Sequence, residues 1–284
     1  MATPAAEVVD TPAVASGDGI KPAVAAADCT MEAVRGTPKE AYVSLLTSDS
    51  FLMAVQALIA SLKATGTARR LLLLHTTQVS RPTLARLRGD SFLDLREVAA
   101  IPNPHQTDVP GWVNSGFTKL RVWEQVDFDK LVYIDADCVV LERVDELFER
   151  PSPAFCPDVF PPDKFNAGVI VLSPSRELFE KMQERIAELP SHDGGDTGFL
   201  NAFFPDWYRW SERHRLPFRY NALRTMYWFT HKNPGYWDSL KPIKILHFCS
   251  SPKPWDPEAK KGDLEQLWWE HYLRSQVPFL GSFV

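Results

Sequence analysis

Short apolar runs of strand length, separated by segments with helical spacing, restrict the fold of this chain more than any other feature. Ala41-Tyr-Val-Ser-Leu-Leu-Thr47 reads as a buried first strand. Val55, Leu58, Ile59 and Leu62 then recur on one helix face, and Leu71 to Leu74 follows as a second strand. Further strand-like runs lie at Leu131 to Ile134, Gly168 to Leu172 and Ile243 to His247, with helical stretches at Arg176 to Leu189 and Asp263 to Leu273. Strands alternating with helices imply an α/β architecture, a largely parallel sheet covered on both faces. In such sheets ligands sit beyond the carboxyl ends of strands, so the polar residues that directly follow each apolar run are where chemistry belongs. Ser48-Asp49-Ser50, between the first strand and the first helix, offers helix-capping side chains.

The 284 residues, 45% apolar, suit one large domain. Met1 to about Thr37 is Ala, Val, Pro and Thr without an aromatic residue, too little bulk to offset the entropy of ordering it. The expected organisation is a disordered tail at 1–37 and a single domain at 38–284. A net charge of -5 supplies no cationic face for nucleic acid or an anionic membrane, so neither is an expected partner. Cys29, Cys138, Cys156 and Cys249 form no C-x-x-C pair, and no run approaches the roughly 20 apolar residues that span a bilayer. With no signal-peptide pattern at the N-terminus, the expectation is a soluble, cytoplasmic protein. A dinucleotide oxidoreductase is disfavoured, because Thr47 to Ser50 holds none of the glycines its phosphate loop requires.

Three constellations could carry chemistry. Asp135-Ala136-Asp137 follows an apolar strand directly, and an extended D-x-D can turn both carboxylates toward one divalent ion while the small Ala136 lets a ligand approach the backbone. Alone, a D-x-D reads more readily as a solvated turn, and its place directly after a buried strand moves the reading toward function. His247 ends another apolar run, and Lys253 follows it within one Pro-rich loop; imidazole suits a transition metal and the lysine a diphosphate, although a lone histidine here is more often a satisfied core residue. Asn166 at the entry of a strand, with Asp193 and Asp196 around the Gly194-Gly195 turn, could bind sugar hydroxyls, or else serve as a turn asparagine and an ordinary helix cap.

Taken in order from Ala41 to about Tyr272, these segments resemble glycosyltransferase family 8, the family of glycogenin and galactinol synthase. Val43 to Asp49, Lys119-Leu-Arg-Val-Trp123, the D-x-D, the asparagine strand, the Asp-Gly-Gly-Asp turn, Leu216 to Asn221 and the His247 to Trp255 loop all carry the likeness. The resemblance implies a Rossmann-like GT-A fold with a mostly parallel central sheet. It also implies retaining transfer of a hexosyl group from a UDP-sugar to a hydroxyl acceptor, whether glycan, protein-linked sugar or polyol. Asp135, Asp137 and His247 would coordinate Mn²⁺ bridging the donor diphosphate. Leu45, Thr47 and Ser48 would hold uridine, with Phe51 beside the base. Lys119 and Lys253 would contact phosphates, with Ser250 in the same loop as Lys253. Asn166, Ala167, Asp193, Asp196 and Thr197 would line the sugar pocket, and the catalytic candidates are Asp196, Asp193 and Lys119.

Ser48, Phe51, Thr197 and Ser250 depart from the family pattern, and Trp228 stands where glycogenin carries the tyrosine it glucosylates, with Tyr227 one place earlier. Retention by double displacement needs a carboxylate nucleophile, for which Asp196 is nearest; same-face attack through an oxocarbenium-like state is the alternative, and the one preferred. Trp112, Trp207, Trp210, Tyr227, Trp228 and Trp237 could stack on acceptor sugars or simply fill the core. The galactinol synthase, glycogenin and plant glucuronyl or glucosyl branches all remain open. Family members are often dimers, so a homodimer fits the resemblance. The rival class is a nucleotide-sugar-binding or scaffolding protein without catalysis, against which the intact Asp135, Asp137 and His247 argue.

Overall fold

The computed structural model of the protein describes residues 37–105, 116–159 and 161–276. The expected tail, Thr37 excepted, lies outside the described residues, as do Cys29 and Trp112. In chain order the elements are β1 (Glu40–Leu46), α1 (Leu52–Ala64), β2 (Leu71–His75), α2 (Arg81–Leu87), β3 (Leu93–Glu97), a 3-10 helix (Gly116–Glu124), β4 (Lys130–Ile134) and β5 (Cys138–Val140). There follow β6 (Ala154–Pro157), β7 (Phe165–Leu172), α3 (Arg176–Arg185), α4 (Asp196–Phe203), β8 (Ala222–Leu223), α5 (Arg224–Thr230), α6 (Pro234–Ser239), β9 (Ile245–His247) and α7 (Asp263–Gln276).

The main sheet runs β3-β2-β1-β4-β7-β6. Its first four strands are parallel, and β7 is antiparallel to both β4 and β6. Strand side chains alternate between two cores. Tyr42, Leu71, Leu73, Val132 and Ile134 pack with Val55, Leu58 and Leu62 of α1. Val43, Leu72, Leu74, Leu131 and Tyr133 pack on the other face with Phe117, Leu120 and Trp123 of the 3-10 helix and with Phe199 and Phe203 of α4. Two buried faces explain why these strands read as unbroken apolar runs. A second sheet, β5-β9-β8, sits under α1 and α7, where Val139, Leu246 and Phe248 meet Trp268.

From β1 the chain proceeds outward to β2 and β3, then returns on the other side of β1 as β4. The order therefore reverses between β1 and β4, and the region beyond the carboxyl ends of those two strands is the switch point at which open α/β sheets form their ligand crevice. Because β7 is antiparallel, it brings its amino end, Asn166 and Ala167, to the same edge.

Some local expectations change. Ser48 stands at the start of a short 3-10 turn but makes no capping hydrogen bond; its hydroxyl pairs with that of Ser50 at 2.6 Å. Asp49 instead accepts from the backbone N–H of Ser80 at 2.9 Å, tying this turn to the start of α2. The strand expected from Ile243 begins at Ile245, and the helix expected to Leu189 ends at Arg185. Among the described residues no helix is long and apolar enough to cross a membrane.

Candidate functional site

Two sheets deliver the D-x-D and the histidine to one place. β4 ends at Ile134, paired with Val169, and the next backbone N–H, that of Asp135, continues the ladder to Gly168 O at 2.9 Å. After the turn, Cys138 of β5 pairs with His247 of β9, and Phe248 N–H donates to Asp137 O at 3.0 Å. His247 Nε2 consequently lies 3.2 Å from Asp137 Oδ1 and 3.7 Å from Asp135 Oδ2. The imidazole is 3% exposed, and Asn221 Oδ1 meets its Nδ1 at 2.8 Å. A Cβ on Gly168 would stand 2.5 Å from that Nδ1 and 2.9 Å from Asn166 Oδ1, so glycine is what lets ring and amide close on β7.

Two lysines meet the same carboxylates. Lys119, from the 3-10 helix, sits with Nζ 3.1 Å from Asp135 Oδ1, 2.6 Å from Asp196 Oδ2 and 3.1 Å from Ala167 O. Burial alone would lower its ammonium, but the Asp135 and Asp196 charges outweigh burial and hold it above its ordinary value. Lys253 places Nζ 2.6 Å from Asp137 Oδ2 and 2.7 Å from Phe248 O. Burial would raise the Asp137 carboxyl, yet His247 and Lys253 keep it well below the usual carboxylate range. Burial raises the Asp196 carboxyl in spite of Lys119, and Asp135 adds to the rise. Tyr133 donates its hydroxyl to Asp135 Oδ1 at 2.6 Å.

The remaining candidates are spread over several elements. Asn166, Ala167 and Thr197 adjoin the carboxylates: Ala167 N–H donates to Thr197 Oγ1 at 3.3 Å, and Asn166 Oδ1 accepts from Gly168 N–H and Asn221 Nδ2, each at 2.9 Å. Asp193 is engaged locally, its Oδ1 accepting from Gly195 N–H at 2.9 Å and Gly198 N–H at 2.8 Å at the start of α4. That is the helix-cap alternative weighed for it. Leu45, Thr47 and Ser48 stand half-buried at the end of β1, and Phe51 packs edge-on against Trp255, 5.5 Å between centroids. Ser250 is held by Arg224, whose Nη2 donates to its hydroxyl at 2.7 Å and its carbonyl at 2.8 Å. Of the aromatic candidates, Trp207 is 1% exposed within the core and is unavailable to an acceptor, whereas Trp228 is 41% exposed.

Sequence reasoning overlooked Asn221, Arg224, Glu265 and Cys138. Asn221 closes the Leu216 to Asn221 segment that carries part of the resemblance; Arg224, ion-paired with Glu265 Oε1 at 3.0 Å, left no pattern to find. Among the described residues one group has metal-ligand spacing, Asp137, Cys138 and His247, with donor atoms within 4.8 Å of one another. Burial pushes the Cys138 thiol well up, and the Asp137 and Asp135 charges push it further. Two carboxylates and an imidazole, Asp135, Asp137 and His247, are the better match in donor chemistry to a divalent ion of the manganese type.

The family profile described as "Glycosyl transferase family 8" matches residues 157–259. Glycogenin-1 of Caenorhabditis elegans is 33% identical over 240 residues, covering 82% of this chain and 55% of that protein. Glycogenin-1 of Oryctolagus cuniculus is 32% identical over 263 residues, covering 86% of this chain and 78% of that protein. The fold is shared with the galactosyltransferase LgtC, solved in complex with donor and acceptor sugar analogs, at TM-score 0.63 and 19% identity over 84% of this chain and 98% of that one. The parallel sheet with its switch point, the carboxylates placed there, and a glycogenin relative matched over most of its length lead to one conclusion: this chain belongs to glycosyltransferase family 8 and has the GT-A fold.

Proposed function

We propose that the chain is a retaining hexosyltransferase that moves a sugar from a UDP-sugar to a hydroxyl acceptor and requires Mn²⁺ held by Asp135, Asp137 and His247. The observation that carries this reading is the convergence of His247 Nε2 on two carboxylates, 3.2 Å and 3.7 Å away, at the mouth of the β1/β4 crevice. When bound, the ion would supply positive charge against the diphosphate leaving group, the main electrostatic demand of the transfer.

The chain's own residues supply the rest. Lys253, in a loop braced by Arg224, is the cation best placed to turn from Asp137 to a donor phosphate. Lys119 Nζ is shared by Asp135, Asp196 and Ala167 O, which supports a role in holding the two carboxylates in place beside the expected phosphate contact. Asn166 and Thr197 face the same crevice as candidates for sugar hydroxyls. Asp196, clasped by Lys119 at 2.6 Å, is poorly disposed as a nucleophile, and this favours same-face attack over a covalent glycosyl intermediate.

The test is UDP release from a panel of UDP-sugars, with Mn²⁺ or EDTA, with and without polyol and glycan acceptors. Turnover should vanish with EDTA and in Asp137→Ala. Metal-dependent binding of UDP-sugar without turnover on any acceptor would support the binding-protein rival, and the absence of both would end the proposal.

A further inference from the structure

Every proton in the polar chain behind the metal ligands is assigned by one backbone group. Gly168 N–H, 2.9 Å from Asn166 Oδ1, can only donate, so the Asn166 atom it meets is the oxygen. The Asn221 atom 2.9 Å from that same oxygen must then be its NH₂. The other Asn221 atom, its oxygen, accordingly faces His247 Nδ1 at 2.8 Å and can only accept, so Nδ1 carries the hydrogen. The Nε2 position left over is the one aimed at Asp137 and Asp135. Asn221 is 1% exposed and reaches both neighbours at once.

We propose that Asn221 is a positioning residue with two separable outputs: it fixes the His247 tautomer that offers an Nε2 lone pair to a divalent cation, and it commits the Asn166 oxygen so that Asn166 presents only NH₂ to the donor sugar. The inference rests on the metal-dependent reading above. Its first output follows the general behaviour of ligating histidines, whose second nitrogen is fixed by a hydrogen-bond partner worth about 10–100-fold in metal affinity. The second makes Asn166 a donor to sugar oxygens and not an acceptor from sugar hydroxyls.

The two outputs come apart in Asn221→Asp. A carboxylate still accepts from His247 Nδ1–H, but its second oxygen now opposes Asn166 Oδ1, which Gly168 N–H keeps from flipping. Two affinities are measured on the whole chain: free Mn²⁺ titrated by its electron paramagnetic resonance signal with no nucleotide present, and the UDP-hexose turned over fastest in the donor panel, compared with UDP, by calorimetry. Asn221→Ala should weaken Mn²⁺ binding by about 10–100-fold. Asn221→Asp should keep Mn²⁺ and UDP affinity within about threefold while weakening the UDP-hexose about tenfold, with Asn166→Ala behaving the same way. Should Asn221→Ala fail to fold, the aspartate and Asn166→Ala variants carry the test alone. Wild-type Mn²⁺ affinity in a folded Asn221→Ala, or loss of Mn²⁺ binding in Asn221→Asp, would overturn the inference while leaving the metal reading intact. A wild-type chain that binds no Mn²⁺ would overturn the metal reading, and this inference with it.

Discussion

Charge is handled differently at the edge of the main sheet beside β3 and at the crevice beyond β4. At the edge, Arg96 and Lys39 each reach Asp127 at 2.7 Å, with the three side chains 32%, 54% and 43% exposed. In the crevice, Lys119 is 7% exposed, Asp137 10% and Arg224 1%. Water can solvate the edge charges whether or not they pair, and such pairs contribute about 0–1 kcal/mol. The crevice charges have left water, and desolvating them costs several kcal/mol per ion, which pairing only offsets. A fold seeking stability alone would fill that space with apolar side chains, as both faces of the sheet do elsewhere. Concentrated buried charge therefore marks the place where chemistry is held ready, and exposed charge of the same composition marks nothing.

The sharpest way to break this contrast is to remove one buried cation. Lys119→Met leaves Asp135 and Asp196 without the ammonium they share, and the expected loss of stability is about 3–5 kcal/mol, read from urea unfolding. Loss of activity alone would not distinguish a scaffold from a phosphate ligand, so stability is the deciding measurement. A loss below about 1 kcal/mol would put Lys119 in the same class as Arg96.

The contrast also explains what could be read beforehand. β1, β2, β4 and β7 were legible because burial on both faces leaves them continuous apolar runs, and α1 because its apolar face repeats at helical spacing. β5 and β8, of three and two residues, are too short to have a period, and β3, Leu-Asp-Leu-Arg-Glu, carries edge-strand charges that hide it. Asp135, Asp137 and His247 each follow or end an apolar run, so strand grammar exposes them. Arg224 and Glu265 lie 41 positions apart on two helices, and a pair that meets only through tertiary packing has no local signature. Lys119 is legible as a cation of the site, but sequence reports a lysine's identity and not that Asp196 arrives beside it from another element.

Lys253 tests whether burial within the crevice is graded. Its Nζ bonds Asp137 Oδ2 and Phe248 O, but Asp137 keeps His247 at 3.2 Å, and Arg224 holds the loop independently through Ser250 and Pro252. Lys253→Met should therefore lower stability by only about 1–2 kcal/mol, in the range of one charged hydrogen bond. Its larger effect belongs to the donor: affinity for UDP should fall about tenfold, roughly 1.4 kcal/mol, by calorimetry in the presence of Mn²⁺. Equal losses of stability for Lys253→Met and Lys119→Met would erase the division between a cation that builds the site and one that serves it.

The smallest effect is expected at the edge. The Arg96 guanidinium bonded to Asp127 holds that carboxyl well below the usual range, against slight burial and with help from Lys39. A depressed folded-state value means that the pair's contribution is present above the unfolded carboxyl value, near 3.9, and is lost as pH falls toward the folded one. Wild type and Asp127→Asn should thus differ by less than about 1 kcal/mol at neutral pH, and the difference should shrink as unfolding is measured at pH values from about 4 downward. In 1 M salt, where screening acts over about 3 Å, most of the neutral-pH difference should disappear, while the loss caused by Lys119→Met, shielded from ions, should persist. If the Asp127 difference instead survives salt, exposure is not what separates the two regions, and the Arg96–Asp127–Lys39 group must be counted with the buried charges.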